Sequence, residues 1–127
     1  MEVNLEVIIN KLEYKVNELI LRNAKLKKLG VIKDRLEATY RCELRKELLG
    51  LSINGTKISI IDDIARDNTN LAQLRLNRDL AEIRYYSMKS SIENIKFEIE
   101  VLRSLLTWLS VELECLKLKV KRDSWLN

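Results

Sequence analysis

Between Leu71 and Val120, apolar residues recur at alternating three- and four-residue steps, and this pattern constrains the chain more than any other feature. The positions are Leu71, Leu74, Arg78, Ala81, Tyr85, Met88, Ile92, Ile95, Ile99, Leu102, Leu106, Leu109, Leu113, Leu116 and Val120, with Arg78 alone out of character. Such spacing puts one side chain per turn on a single helix face, so a long amphipathic helix is expected from Asn70 to Arg122. Its seam must be buried against another helix. A second stripe, Leu76, Leu80, Ile83, Phe97, Val101, Leu105, Trp108, Cys115 and Leu118, is expected to lie beside the first and broaden the buried face. Where that stripe lapses, Ser87, Ser90, Ser91 and Asn94 either admit close helix approach, the preferred reading, or expose a polar middle.

The first arm, residues 2–49, carries a similar register at Leu5, Ile9, Leu12, Val16, Leu19, Asn23 and Leu26, with Ile8, Ile20 and Leu29 widening it. A single polar seam residue tends to fix register and oligomer state at a cost in stability, so Asn23 is assigned to pairing specificity. Gly30 falls on the seam, and the spacing loosens before Ile32, Leu36, Tyr40, Leu44 and Leu48 resume it. A kink or change of neighbour is expected there. With no proline, only three glycines, 46% hydrophobic and 33% charged residues, the composition is that of long helices.

Residues 50–69 form the connector. Gly50 reads as a C-cap glycine, and Asn54-Gly55 between short β-prone runs reads as a turn or miniature β-hairpin over 50–58. Ser59-Ile60-Ile61-Asp62 fits a capping pattern that places Asp62 and Asp63 in the first turn of a short helix. Asp67-Asn68-Thr69 either stops that helix or is run through. The Asn54-Gly55-Thr56 glycosylation match is read as turn chemistry.

These pieces make one all-α domain over 1–127: arm one, connector, arm two over 70–122 and a tail at 123–127. Arms of about fifty residues, each about 75 Å long, suit an antiparallel, coiled-coil-like hairpin. Two helices cannot cover two stripes each, so the hairpin is expected to dimerise into a four-helix assembly. Its oligomer seam is placed at Ile92, Ile95, Ile99, Leu102, Leu106, Leu109, Leu113 and Leu116. The rival is a compact monomeric bundle made by bending arm one at Gly30. The tail residues Trp125 and Leu126 are expected to dock back on the helices, the alternative being that an exposed terminal Trp serves as a binding anchor.

Catalysis has little to work with. The chain has no histidine, its serines lack a base partner, and adjacent Asp62 and Asp63 point to different helix faces. Cys42 and Cys115 form no CxxC pair and are read as buried or idle thiols, so no enzyme, metal or cofactor is expected. No apolar run is long enough to span a bilayer, and no basic-then-apolar leader opens the sequence, so a cytoplasmic protein without a membrane partner is expected. The net charge of +4 is too small to define a nucleic-acid binder. Basic residues do gather in arm one and near the end of arm two, making Lys25, Lys28, Arg41, Arg45, Lys117 and Lys121 the candidate nucleic-acid contacts.

The run Tyr40-Arg41-Cys42-Glu43-Leu44-Arg45-Lys46-Glu47-Leu48-Leu49-Gly50-Leu51-Ser52-Ile53-Asn54-Gly55-Thr56, then Ile60-Ile61-Asp62-Asp63-Ile64-Ala65-Arg66, resembles small helical proteins of Gram-positive bacteriophages and prophages. The resemblance extends to Leu105-Leu106-Thr107-Trp108-Leu109 and carries no assigned chemistry. It implies an early-expressed accessory protein acting inside the host cytoplasm. Two functions are thus expected from the sequence: a homo-oligomeric helical module that binds and modulates a host or phage protein, such as a defence or replication component, or a nucleic-acid-binding accessory of phage recombination or replication.

Overall fold

The computed structural model describes residues 4–126, in which three helices follow one another: α1 (Leu5–Ile53), α2 (Ile58–Arg66) and α3 (Thr69–Leu126). Arm-one residues 2 and 3 and tail residue 127 lie outside the described residues. The chain is all-α among those residues, with α1 and α3 packed antiparallel as a hairpin and the short α2 between them. Contacts group into two units: residues through Asn23 with those from Ser91 onward, and Ala24–Ser90.

Each helix end has a local cause. Asn4 starts α1, its Oδ1 accepting the Glu6 N–H at 2.9 Å. At the other end the helix passes straight through Gly50 and closes at Asn54-Gly55. The Thr56 N–H donates to the Leu51 carbonyl and the Gly55 N–H to the Ser52 carbonyl, while Gly55 takes φ of 78°. That is a Schellman cap, with glycine where the chain turns left-handed. The expected β-hairpin is therefore absent, because the Asn-Gly pair terminates a helix: Leu51, Ser52 and Ile53 belong to α1, and α2 begins at Ile58. The capping pattern at Ser59 also goes unused: the cap position falls two residues earlier, at Lys57, with no side-chain cap and no acidic residue in the first turn of α2. Asn68 then starts α3 by accepting the Leu71 N–H at 3.1 Å, so the two helices are separate.

In the first unit, Ile8, Ile92, Ile95 and Ile99 are buried, with Leu5, Leu12, Leu19, Leu102, Leu106 and Leu109 half-buried around them. Fully burying such a side chain contributes about 1.5–3 kcal/mol. In the second unit the buried residues are Tyr40, Ala65, Leu71 and Ala81. The face of α1 that meets α3 differs from the expected one at alternate rungs. Leu5, Leu12, Leu19 and Leu26 point inward as expected, but the rungs between them are Ile8, Lys15, Arg22 and Leu29, while Ile9, Val16 and Asn23 are exposed. Polar partners on α3 select this face, since Glu98 receives Lys15 and Ser91 receives Arg22.

Gly30 does not break α1. It sits against the Tyr85 ring, with Cε2 3.4 Å from where a Cβ would stand, and the helix continues on both sides. Of the second stripe of α3 only Leu105 is half-buried, and Leu76, Leu80, Ile83, Phe97, Val101, Trp108, Cys115 and Leu118 are exposed, so the stripe does not broaden the face against α1 as expected. Of the small polar residues only Ser91 faces α1, whereas Ser87, Ser90 and Asn94 point to solvent.

Candidate interaction surface

Side chains on the two helices of the first unit build one continuous surface. Lys15 Nζ bonds Glu98 Oε2 at 2.6 Å and lies 3.7 Å from Glu18 Oε2; Glu18 Oε1 is held by Arg22, which also donates to the Ser91 hydroxyl. Glu18 Oε2 is itself buried without a hydrogen bond, so Lys15 holds it through charge alone. The Glu98 hydrogen bond holds the Lys15 ammonium above the ordinary lysine range, against the opposing effect of desolvation. This chain of charges fixes the antiparallel register. With Lys15 facing Glu98 and Arg22 facing Ser91, Leu5 comes level with Trp108.

Beside that ladder lies a groove of about 780 Å³, lined by Val7 and Tyr14 on α1 and by Phe97, Val101 and Leu102 on α3, with Asn10, Lys11 and the Lys15–Glu98 pair. Tyr14 is 67% exposed and Phe97 71%. Helical spacing places Val7, Lys11 and Tyr14 on one side of α1, and Glu98 and Val101 on the matching side of α3. Beyond Leu109 the seam has no cover: every residue from Ser110 to Leu126 is exposed, Leu113 and Leu116 included. Trp125 and Leu126 extend α3 at 82% and 78% exposure, so the expected docking of the tail is not seen.

The second unit holds a different cluster. Buried Tyr40 has the Arg78 guanidinium 4.5 Å above its ring, and its hydroxyl accepts a hydrogen bond from Arg75 Nε at 3.3 Å. Desolvation opposes the charge on Arg78, but the Asp79 hydrogen bond and the charges of Asp79 and Glu37 outweigh it, and the group is held above its ordinary value. Arg78, the polar member of the α3 seam, is thus accommodated by carboxylates and an aromatic face.

The sequence-derived site residues are distributed as follows. Of the oligomer seam, Ile92, Ile95 and Ile99 are buried, Leu102, Leu106 and Leu109 half-buried against α1, and Leu113 and Leu116 open. Asn23 is exposed, one residue off the seam that Arg22 occupies. Among the candidate nucleic-acid contacts, Arg41 bonds Glu37 at 2.7 Å and Lys117 lies 3.8 Å from Glu114. Lys25 and Lys28 point roughly 150° away from Arg41 and Arg45 around α1 at 3.6 residues per turn, so these four share no face. Cys42 and Cys115 are both exposed. The groove was missed in the sequence because Val7 and Tyr14 belong to neither stripe read on α1. Among the described residues no helix is long and apolar enough to cross a membrane.

No protein-family model, no curated protein and no solved structure matches this chain.

Proposed function

We propose that this chain is a non-enzymatic, homo-oligomeric helical interaction module that binds and modulates another protein. One observation carries the reading: the apolar surface left open. The chain exposes 10118 Å² at a mass of 14.9 kDa, whereas the general scaling for folded monomers of that mass gives about 7,000 Å². Exposed apolar residues lie on that surface, among them Val7, Tyr14, Phe97 and Val101, which line the groove between the two helices of the first unit. Surfaces of this kind mark protein contact sites. The resemblance of residues 40–66 to small phage and prophage proteins supports an accessory role inside a bacterial host, with a defence or replication component as the type of target.

The test is comparative capture from host lysate with the wild-type chain and a Phe97→Asp/Val101→Asp variant, both substitutions lying on the exposed side of α3. A protein retained by the wild type and lost with the variant supports the reading. Identical capture by the two, or capture of nothing, overturns the binding role. Gel shifts with DNA and RNA at low salt run alongside; tight binding that weakens steeply with salt would replace this reading with the nucleic-acid accessory.

A further inference from the structure

The outward stripe of α3 keeps its own register past the end of α1. Trp108, Val111, Cys115, Leu118 and Trp125 follow at steps of three, four, three and seven, on average roughly 135° around the helix from Ile92, Ile95 and Ile99 at 3.6 residues per turn. All five are exposed. A stripe with coiled-coil spacing and no cover calls for a helix, and the charges beside it identify which one. On the side nearer Trp108 the flanking positions are Glu112 and Glu114; on the side nearer Trp125 they are Lys119 and Lys121. A helix with acidic flanks at one end and basic flanks at the other complements itself when reversed.

We propose that residues 108–125 of α3 pair antiparallel with the same segment of a second copy through this outward stripe, with Cys115 of each chain against Leu118 of the other. The proposal rests on the homo-oligomeric reading above and specifies its interface. In this register Glu112 falls beside Lys119 of the second copy and Glu114 beside Lys121, each twice by two-fold symmetry. Trp108 meets Trp125, and the stem of Arg122 lies over Val111 with its head free to reach solvent. Neighbouring registers fail on charge. A slip of one heptad in one direction sets Glu112 against Glu112 and Glu114 against Glu114. The opposite slip sets Lys119 against Lys119 and Lys121 against Lys121, and like charges across an interface are costly. The outward stripe also leaves the inward face, which α1 occupies as far as Leu109, undisturbed.

Sedimentation equilibrium of the full chain, with helicity followed by circular dichroism, tests the idea. The wild type is expected to be a dimer. Glu114→Lys alone, or Lys121→Glu alone, should weaken dimerisation by about tenfold, since each change puts like charges together at two symmetric places. The double variant Glu114→Lys/Lys121→Glu should restore it to near the wild-type value. All four positions are solvent-exposed, so unchanged helicity and melting of the dilute chain are expected and separate loss of pairing from loss of fold. A wild type that stays monomeric overturns both this interface and the homo-oligomeric reading. A dimer indifferent to the single changes overturns the interface alone. Restoration by Glu114→Lys/Lys119→Glu but not by Glu114→Lys/Lys121→Glu would mean a parallel pair, and would equally sink the proposal.

Discussion

Two glycines that look alike in the sequence do opposite things. Gly50 sits inside α1 with open space where a Cβ would go, whereas Gly55 holds φ of 78° in the Schellman turn. Gly50→Ala should therefore stabilise the chain by up to about 1 kcal/mol through helix propensity. Gly55→Ala should destabilise it by about 1 kcal/mol or more, since a left-handed backbone disfavours a Cβ. Thermal melts of the two variants, moving in opposite directions, check the assignment. Charge at single residues gives a second expectation. Lys15 is held above the ordinary lysine value by Glu98, so its contribution is complete below that ordinary value and is lost as pH rises through the folded-state one. As pH rises past the ordinary lysine value of 10.5, the melting temperature of the wild type should fall further than that of Lys15→Met. Equal falls would show that the Lys15–Glu98 bond adds nothing to stability.

At the scale of elements, α3 is one helix with two regimes. From Leu71 to Leu109 its seam is covered by α1; from Leu113 onward the same spacing continues with no neighbour. Ile95→Ala should thus cost about 2–5 kcal/mol, a large-to-small change in a filled core. Leu116→Ala should stay within about 0.5 kcal/mol in the dilute chain, as surface substitutions do. Denaturant titration of both variants decides whether α1 ends where the register of Lys15 and Arg22 places it. The existence of α1 and α3, their antiparallel hairpin and their long seam were legible in the sequence, because apolar spacing reports helical faces directly. The rungs of α1 were not. Ile9, Val16 and Asn23 fit a heptad as well as Ile8, Lys15 and Arg22 do, and the choice depends on Glu98 and Ser91, many residues away along the chain. The connector misled for a related reason: Asn-Gly suits a hairpin turn and a helix C-cap alike, and only the hydrogen bonds of Gly55 and Thr56 distinguish them.

For the whole molecule, the governing quantity is how much apolar surface two antiparallel helices leave open. Hydrogen exchange should report it: in the dilute chain, amides of 110–126 should exchange much faster than those of 92–102, where side chains are buried against α1. Raising the concentration should slow exchange in 108–125 if that segment pairs with a second copy; uniform protection along α3 at low concentration would contradict an uncovered end. The sequence by itself determined that the chain is helical, that α3 carries one long seam, and that this seam needs a partner, because each follows from local propensity and period. Only the tertiary structure decided which stretch of the seam α1 covers, that Ile8, Lys15 and Arg22 replace Ile9, Val16 and Asn23 on its inward face, and that the second stripe, Leu105 apart, is exposed. Those outcomes depend on polar groups meeting across two helices, and a one-dimensional pattern of apolar residues carries no information about such pairs.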